Sequence, residues 1–199
     1  MPIRDWSFFL VIATILLTPG PTNTLLATAG IQAGLRHSWR LIPAECLGYL
    51  IATTIWGALL EALVREAPWL MLTVQLLSAL YLTKLGWNLW TYASLRTESS
   101  HPPTIARKQL FLATLLNPKA VIFALTLFPA QTWMSAGNYV SVMGGFSLLV
   151  ACIGSLWITF GAMLMGGRVS WLQPRHVQRC ASLVLWGFAM WLLFRVMGF

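Results

Sequence analysis

Two short polar stretches, Thr18-Pro19-Gly20-Pro21-Thr22-Asn23 and Leu116-Asn117-Pro118-Lys119-Ala120, interrupt long apolar runs in corresponding halves of a 199-residue chain. Proline has no N–H and clashes with the preceding turn, so Pro19 and Pro21 leave the carbonyls of Ile15 and Leu17 without helical donors. Gly20 lets the chain turn between them. Pro21 suits the first turn of a new helix, whose amides at Thr22, Asn23 and Thr24 form a positive dipole end. This break therefore offers carbonyls to an ammonium and amides to a carboxylate, the two ends of a zwitterionic amino acid. At the second break Pro118 frees the carbonyl of Thr114, and Asn117 can hydrogen-bond locally. Lys119 follows, in the middle of an apolar run. A lysine at the centre of a membrane helix costs about 2.5–3.5 kcal/mol on insertion scales, so it requires a partner or a wet cavity. It could hold a substrate carboxylate, exchange a proton, or serve as a fixed tie to free carbonyls.

One acid also lies well within an apolar run: Glu45, two residues after Pro43. It could bind an ammonium, carry a coupling proton, pair with Lys119, or pair with Arg40 at the edge of the run. Lys84 is close enough to the end of its run to snorkel to the interface. Cys46, Cys152 and Cys180 form no C-x-x-C and give no disulfide framework; they read as small core residues. The three histidines fall between the apolar runs, so no metal site and no cofactor is expected. Gly48, Gly57, Gly144, Gly145, Gly154 and Gly161 favour close helix packing.

The elements that would position these residues follow from composition. Hydrophobic residues make up 58% and charged residues 9%, against about 25% charged in soluble domains, and mean hydropathy is +0.73. A span takes about 20 apolar residues. The apolar runs predict six spans, near 6–30, 41–63, 69–90, 109–130, 140–165 and 177–196, the first and fourth broken at the prolines. The fold class is thus an all-α membrane protein, one transmembrane domain over residues 1–199. It divides into a repeat over 1–93, a polar linker over 94–108 and a second repeat over 109–199. Two three-span units necessarily have opposite orientation, which makes them inverted repeats. The recurrence of Gly86-Trp87-x-x-Trp90 as Gly187-Phe188-x-x-Trp191 agrees with that division. Paired breaks in corresponding positions point to a transporter's binding site.

The formal charge of +8 comes from basic residues scattered singly between spans, without the clustered stripe of a nucleic-acid binder. Arg36, Arg40, Arg96, Arg107, Lys108, Arg168, Arg175 and Arg179 flank one side of the spans, and Arg4, Arg65 and Arg195 the other. The positive-inside rule places the richer side in the cytoplasm and both termini outside it. The first apolar run is expected to be retained and not cleaved as a signal peptide: Asp5 joins Arg4 before it, and Ala27-Thr28-Ala29 lies far beyond its end.

The Thr-Pro-Gly-Pro-x-Asn element, Gly34-x-Arg36, Tyr81-Leu82-x-x-Leu85-Gly86-Trp87 and Leu116-Asn117-Pro118-Lys119-Ala120 together resemble the LysE/RhtB family of amino-acid exporters, in order and over the whole chain. The resemblance implies a six-span protein of the bacterial inner membrane that exports amino acids or derivatives, driven by the proton gradient. Here Thr22 separates Pro21 from Asn23, where the family's common form runs Pro-Gly-Pro-Asn, so the asparagine is shifted by one position. Glu45 is not part of that pattern. The resulting expectation is a non-enzymatic exporter of small neutral amino acids. Its substrate lies at Thr18 to Asn23, Asn117, Pro118 and Lys119, and Glu45 or Lys119 carries the proton. A metal exporter of similar architecture and a non-transporting scaffold are the alternatives. A homo-oligomer is compatible with the sequence.

Overall fold

The computed structural model describes residues 6–59, 69–94, 104–165 and 174–197. Arg4, Asp5, Arg65, Arg96, Arg168 and most of the polar linker lie outside the described residues. Every regular element among the described residues is helical: α1 Trp6–Leu17, α2 Pro21–Ser38, α3 Ile42–Thr54, α4 Trp69–Ser94, α5 Arg107–Leu115, α6 Pro118–Ile122, α7 Ala136–Met165 and α8 Pro174–Val196. A 3₁₀ turn at Trp39–Leu41 joins α2 to α3, and π-helical turns at Ile55–Leu59 and Phe123–Leu127 extend α3 and α6.

The prolines end and restart helices as their chemistry demands. The last bond of α1 runs from the Thr18 N–H to the Thr14 carbonyl (3.2 Å), and α2 opens with the Thr24 N–H on the Gly20 carbonyl (2.9 Å). The axes on either side differ by 60°. Helix α2 continues past the expected end near Gly30, because nothing between Gly30 and Gly34 breaks it. The chain turns at Gly34, whose φ of 70° lies where side chains are rarely tolerated. Among the described residues two helices, within 136–164 and 176–194, are long and apolar enough to cross a bilayer, and three spans result if the bent pair 8–17 and 21–57 counts as one.

Helix α2 packs along α7, and α4 along α8. The first contact is a glycine crossing: a Cβ on Gly30 would stand 2.2 Å from the Ile158 carbonyl oxygen, and one on Gly161 2.0 Å from that of Ala27. Only glycine permits this backbone approach. In the second contact Trp186 lies over Gly86, its indole N–H donating to the Thr83 carbonyl (3.2 Å) and its ring against Trp90. The sequence recurrence does not carry the same packing twice, since Gly187 faces open space.

Two apolar cores result. One gathers Leu25, Leu26, Leu82, Leu85, Leu110 and Leu185 from α2, α4, α5 and α8. The other gathers Ile12, Leu16, Tyr49, Phe123, Phe146 and Val150 from α1, α3, α6 and α7. Both broken segments pass from one core to the other at their prolines. The cysteines correct the sequence expectation: Cys46 is half-buried, with its thiol on the Ser147 carbonyl, but Cys152 and Cys180 are exposed on the outer faces of α7 and α8. Apolar surroundings in sequence do not distinguish a core face from the outer face of a membrane helix.

Candidate functional site

The two breaks meet between the cores. The Lys119 ammonium donates to the carbonyls of Ile15 (2.9 Å) and Thr18 (2.7 Å), across a sequence separation of about half the chain. Asn23, from the first turn of α2, turns back and donates its amide to the carbonyls of Leu16 (2.7 Å) and Thr18 (2.9 Å). The Thr18 hydroxyl adds a bond to the Ile15 carbonyl (2.6 Å). A carbonyl cage exists at the first break, but it is built from Ile15, Leu16 and Thr18 rather than from the expected Ile15 and Leu17. Lys119 and Asn23 occupy it in this conformation. The one-residue shift of the asparagine does not prevent it from reaching the frayed end of α1.

At the second break Asn117 caps α6, its side-chain oxygen accepting from the Lys119 N–H (3.0 Å). Its amide nitrogen donates to the Tyr49 hydroxyl (3.1 Å) and lies 3.4 Å from the Thr22 hydroxyl. The Thr114 carbonyl, expected to be freed by Pro118, accepts instead from the Asn117 N–H (3.0 Å), a tighter final turn that replaces the missing helical donor. The Leu116 carbonyl takes the Ser78 hydroxyl from α4. Pro118 is half-buried.

Gly20 departs from its expected role. Its φ of −166° and ψ of 175° are extended backbone open to any residue, so no turn requires glycine here. Space does: a Cβ at Gly20 would stand 3.2 Å from the Lys119 ammonium nitrogen and 3.3 Å from its Cε. Gly20, Pro21, Thr22, Asn23, Glu45, Tyr49 and Asn117 are buried, Lys119 is half-buried, and Thr18 and Pro19 are exposed.

Glu45, in the first turn of α3, is 2% exposed and is the one acid among the described residues. It forms no ion pair with Arg40 or with Lys119. One carboxyl oxygen has no hydrogen-bond partner and rests over Gly154 of α7, 2.5 Å from where a Cβ would be. Gly154 is therefore less a generic packing glycine than the floor under this carboxyl group.

Tyr49 and Ser78 are the site residues that sequence reading missed. Tyr49 lies four residues after Glu45, one turn along the same helix face, and its ring stacks edge-on against Phe123 and Phe146. That spacing from Glu45 was the available signal. Ser78 carried none, since its partner is a backbone carbonyl on another helix. Among the described residues no three of His, Cys, Asp and Glu gather at one point.

Comparison with known proteins follows the same lines. Residues 13–195 match the family described as LysE type translocator. The chain belongs to the LysE family. It is 28% identical over 141 residues to the leucine efflux protein of Enterobacter sp. (strain 638), covering 68% of this chain and 67% of that one. It is 27% identical over 186 residues to the cysteine/O-acetylserine efflux protein of Salmonella typhimurium, covering 90% and 89%. The corresponding protein of Escherichia coli O9:H4 is 23% identical over 172 residues, covering 86% and 80%. No solved structure matches the chain. These LysE relatives are efflux transporters and not enzymes, and their family is one of membrane proteins with amino-acid cargo.

Proposed function

We propose that this LysE protein is a secondary active, proton-coupled exporter of small neutral amino acids or their derivatives across the bacterial inner membrane. The substrate binds where the two broken helices meet. The observation that carries the reading is the Lys119 ammonium on the Ile15 and Thr18 carbonyls. A lysine amine and an amino acid's α-ammonium have the same bonding needs, so the cage that now holds Lys119 fits a substrate ammonium. When substrate takes those carbonyls, Lys119 is displaced and pairs with the substrate carboxylate. The Thr22 and Asn23 amides at the start of α2 face the same anion.

The helix pairing supports two inverted three-span halves. Exchanging spans one, two and three with four, five and six turns the contact of the first broken span (α1 and α2) with α7 into that of the second broken span (α5 and α6) with α3. The same exchange maps the α4–α8 pair and the meeting of the two breaks onto themselves, and all of these contacts are present. Rocking of one half against the other would then expose the shared site alternately to each side. Glu45, buried beside this site without a partner, is the proton carrier in this scheme. The amino-acid names of the relatives favour this cargo over a metal ion.

Reconstituted protein should exchange labelled leucine or O-acetylserine and respond to an imposed pH gradient. Asn23→Ala and Lys119→Ala each remove a charge-assisted or doubly used hydrogen bond, and should lower the rate by about tenfold or more. Unchanged transport in both variants would overturn the site.

A further inference from the structure

We propose that the seam between α4 and α5 is the cytoplasmic intake of this carrier. In it Lys84 and Lys108 capture the carboxylate of an amino acid, above a gate latched by the hydroxyls of Ser78 and Tyr81. The proposal rests on the exporter reading and on the orientation given by the loop charges.

A cavity of about 350 Å³ opens between the two helices near the polar linker, walled by Lys84, Asn88, Lys108, Gln109 and Leu112, with Tyr81 at its inner end. That volume falls within the range of about 300–1,000 Å³ typical of small-molecule sites. Both lysine side chains are exposed, and no acid is among the lining residues. Two ammonium groups beside the amides of Asn88 and Gln109 suit a carboxylate entering from water.

The cavity stops at Tyr81 in this conformation. Tyr81 also borders a second, tightly closed space, together with Pro21, Ser78, Leu82, Asn117 and Pro118. These include residues of both breaks, and the space between them is too small for a water molecule. Ser78, Tyr81, Leu85 and Asn88 follow one another along one face of α4, as Gln109, Leu112, Ala113 and Leu116 do along α5. From Asn88 to Ser78 the helix rises about 15 Å, which spans the distance from the mouth to the broken helices.

Two bonds hold this path shut. The Tyr81 hydroxyl donates to the Gln109 carbonyl (2.9 Å), and the Ser78 hydroxyl lies between the Leu116 carbonyl and the Val74 carbonyl of its own helix (2.7 Å), with one proton to share between them. Both are side chain to backbone, and apart from them α4 meets α5 sparsely, its main contact being with α8 on its other face. Releasing two hydroxyls therefore removes the polar ties along a route from Lys84 towards Asn117; Leu82 and Leu85 of α4 share the first apolar core with Leu110 of α5, and opening must part them.

The test uses the full chain with its three cysteines replaced, in inside-out vesicles. Leu116→Cys lies behind the gate. A membrane-impermeant thiol reagent applied at the cytoplasmic face should label it slowly, and at least about fivefold faster when Ser78→Ala and Tyr81→Phe remove the latches. An unchanged rate, or faster labelling only from the opposite face, overturns the gate. This arm needs no transport activity, so it stands apart from failure of the exporter reading, which would show as absent leucine and O-acetylserine exchange in the wild type. In the transport arm Lys84→Gln and Lys108→Gln should each raise KM for leucine by about twofold to fivefold with the maximal rate unchanged, and the effect should shrink at high salt. A KM unaltered in the double variant of an active carrier overturns the capture role.

Discussion

The Lys119 ammonium is the point on which both breaks converge, and its tight fit against Gly20 makes it testable without removing it. Gly20→Ala is tolerated by the extended backbone, but its Cβ would sit 3.2 Å from the lysine nitrogen. The flexible end of the lysine gives way by weakening its bonds to Ile15 and Thr18. Leucine exchange in vesicles should fall about threefold to tenfold while the melting temperature stays unchanged. Glu45 invites a different substitution. Glu45→Gln keeps the volume that rests on Gly154 and mimics the neutral acid, so leucine exchange should persist. Accumulation driven by a pH gradient should be lost, and gradient-driven accumulation at the wild-type level would remove Glu45 from the coupling role. Of this site, Asn23, Asn117 and Lys119 were legible in the sequence because prolines strip carbonyls of donors and polar residues nearby must supply them. Tyr49 and Ser78 were not, because their partners lie on other helices and local pattern says nothing of which helices meet.

At the level of elements, the glycine crossing of α2 and α7 holds the first broken span against the second half of the chain. A methyl group on Gly30 or Gly161 would meet backbone, at 2.2 and 2.0 Å from carbonyl oxygens, and backbone cannot rotate aside. Gly30→Ala and Gly161→Ala should each destabilise the folded protein by about 1–3 kcal/mol, as overpacking does, and lower the melting temperature in detergent. Gly187→Ala, whose Cβ would meet open space, should be neutral or stabilise by up to about 1 kcal/mol through helix propensity. Equal melting shifts in all three would remove the crossing from the stability of the fold. The helices were largely readable from apolar run length and proline position. The glycine roles were not: Gly30 and Gly161 bring helices together, Gly154 seats a carboxyl group, Gly34 turns the chain and Gly187 touches nothing. Sequence shows the missing side chain but not what approaches it.

For the whole molecule, the consequence that joins site, seam and coupling is orientation. Arg36, Arg40, Arg107, Lys108 and Arg179 lie at the same ends of the helices as the mouth lined by Lys84 and Lys108, whereas the described start of α1 lies at the other end. Loop lysines and arginines are retained in the cytoplasm during insertion. If the proposed orientation holds, the positive field that fixes topology faces the compartment from which an exporter draws anionic carboxylate ends, and one charge distribution would serve assembly and capture. Both termini should then lie outside the cytoplasm. Alkaline phosphatase fused to either end should be active, and a green fluorescent protein fused to the C-terminus should stay dark. A fluorescent C-terminal fusion in a transport-competent chain would place the α4–α5 mouth on the outer face. That result would turn the intake into an exit and reverse the assignment of capture to Lys84 and Lys108, while the contact between the two breaks would stand.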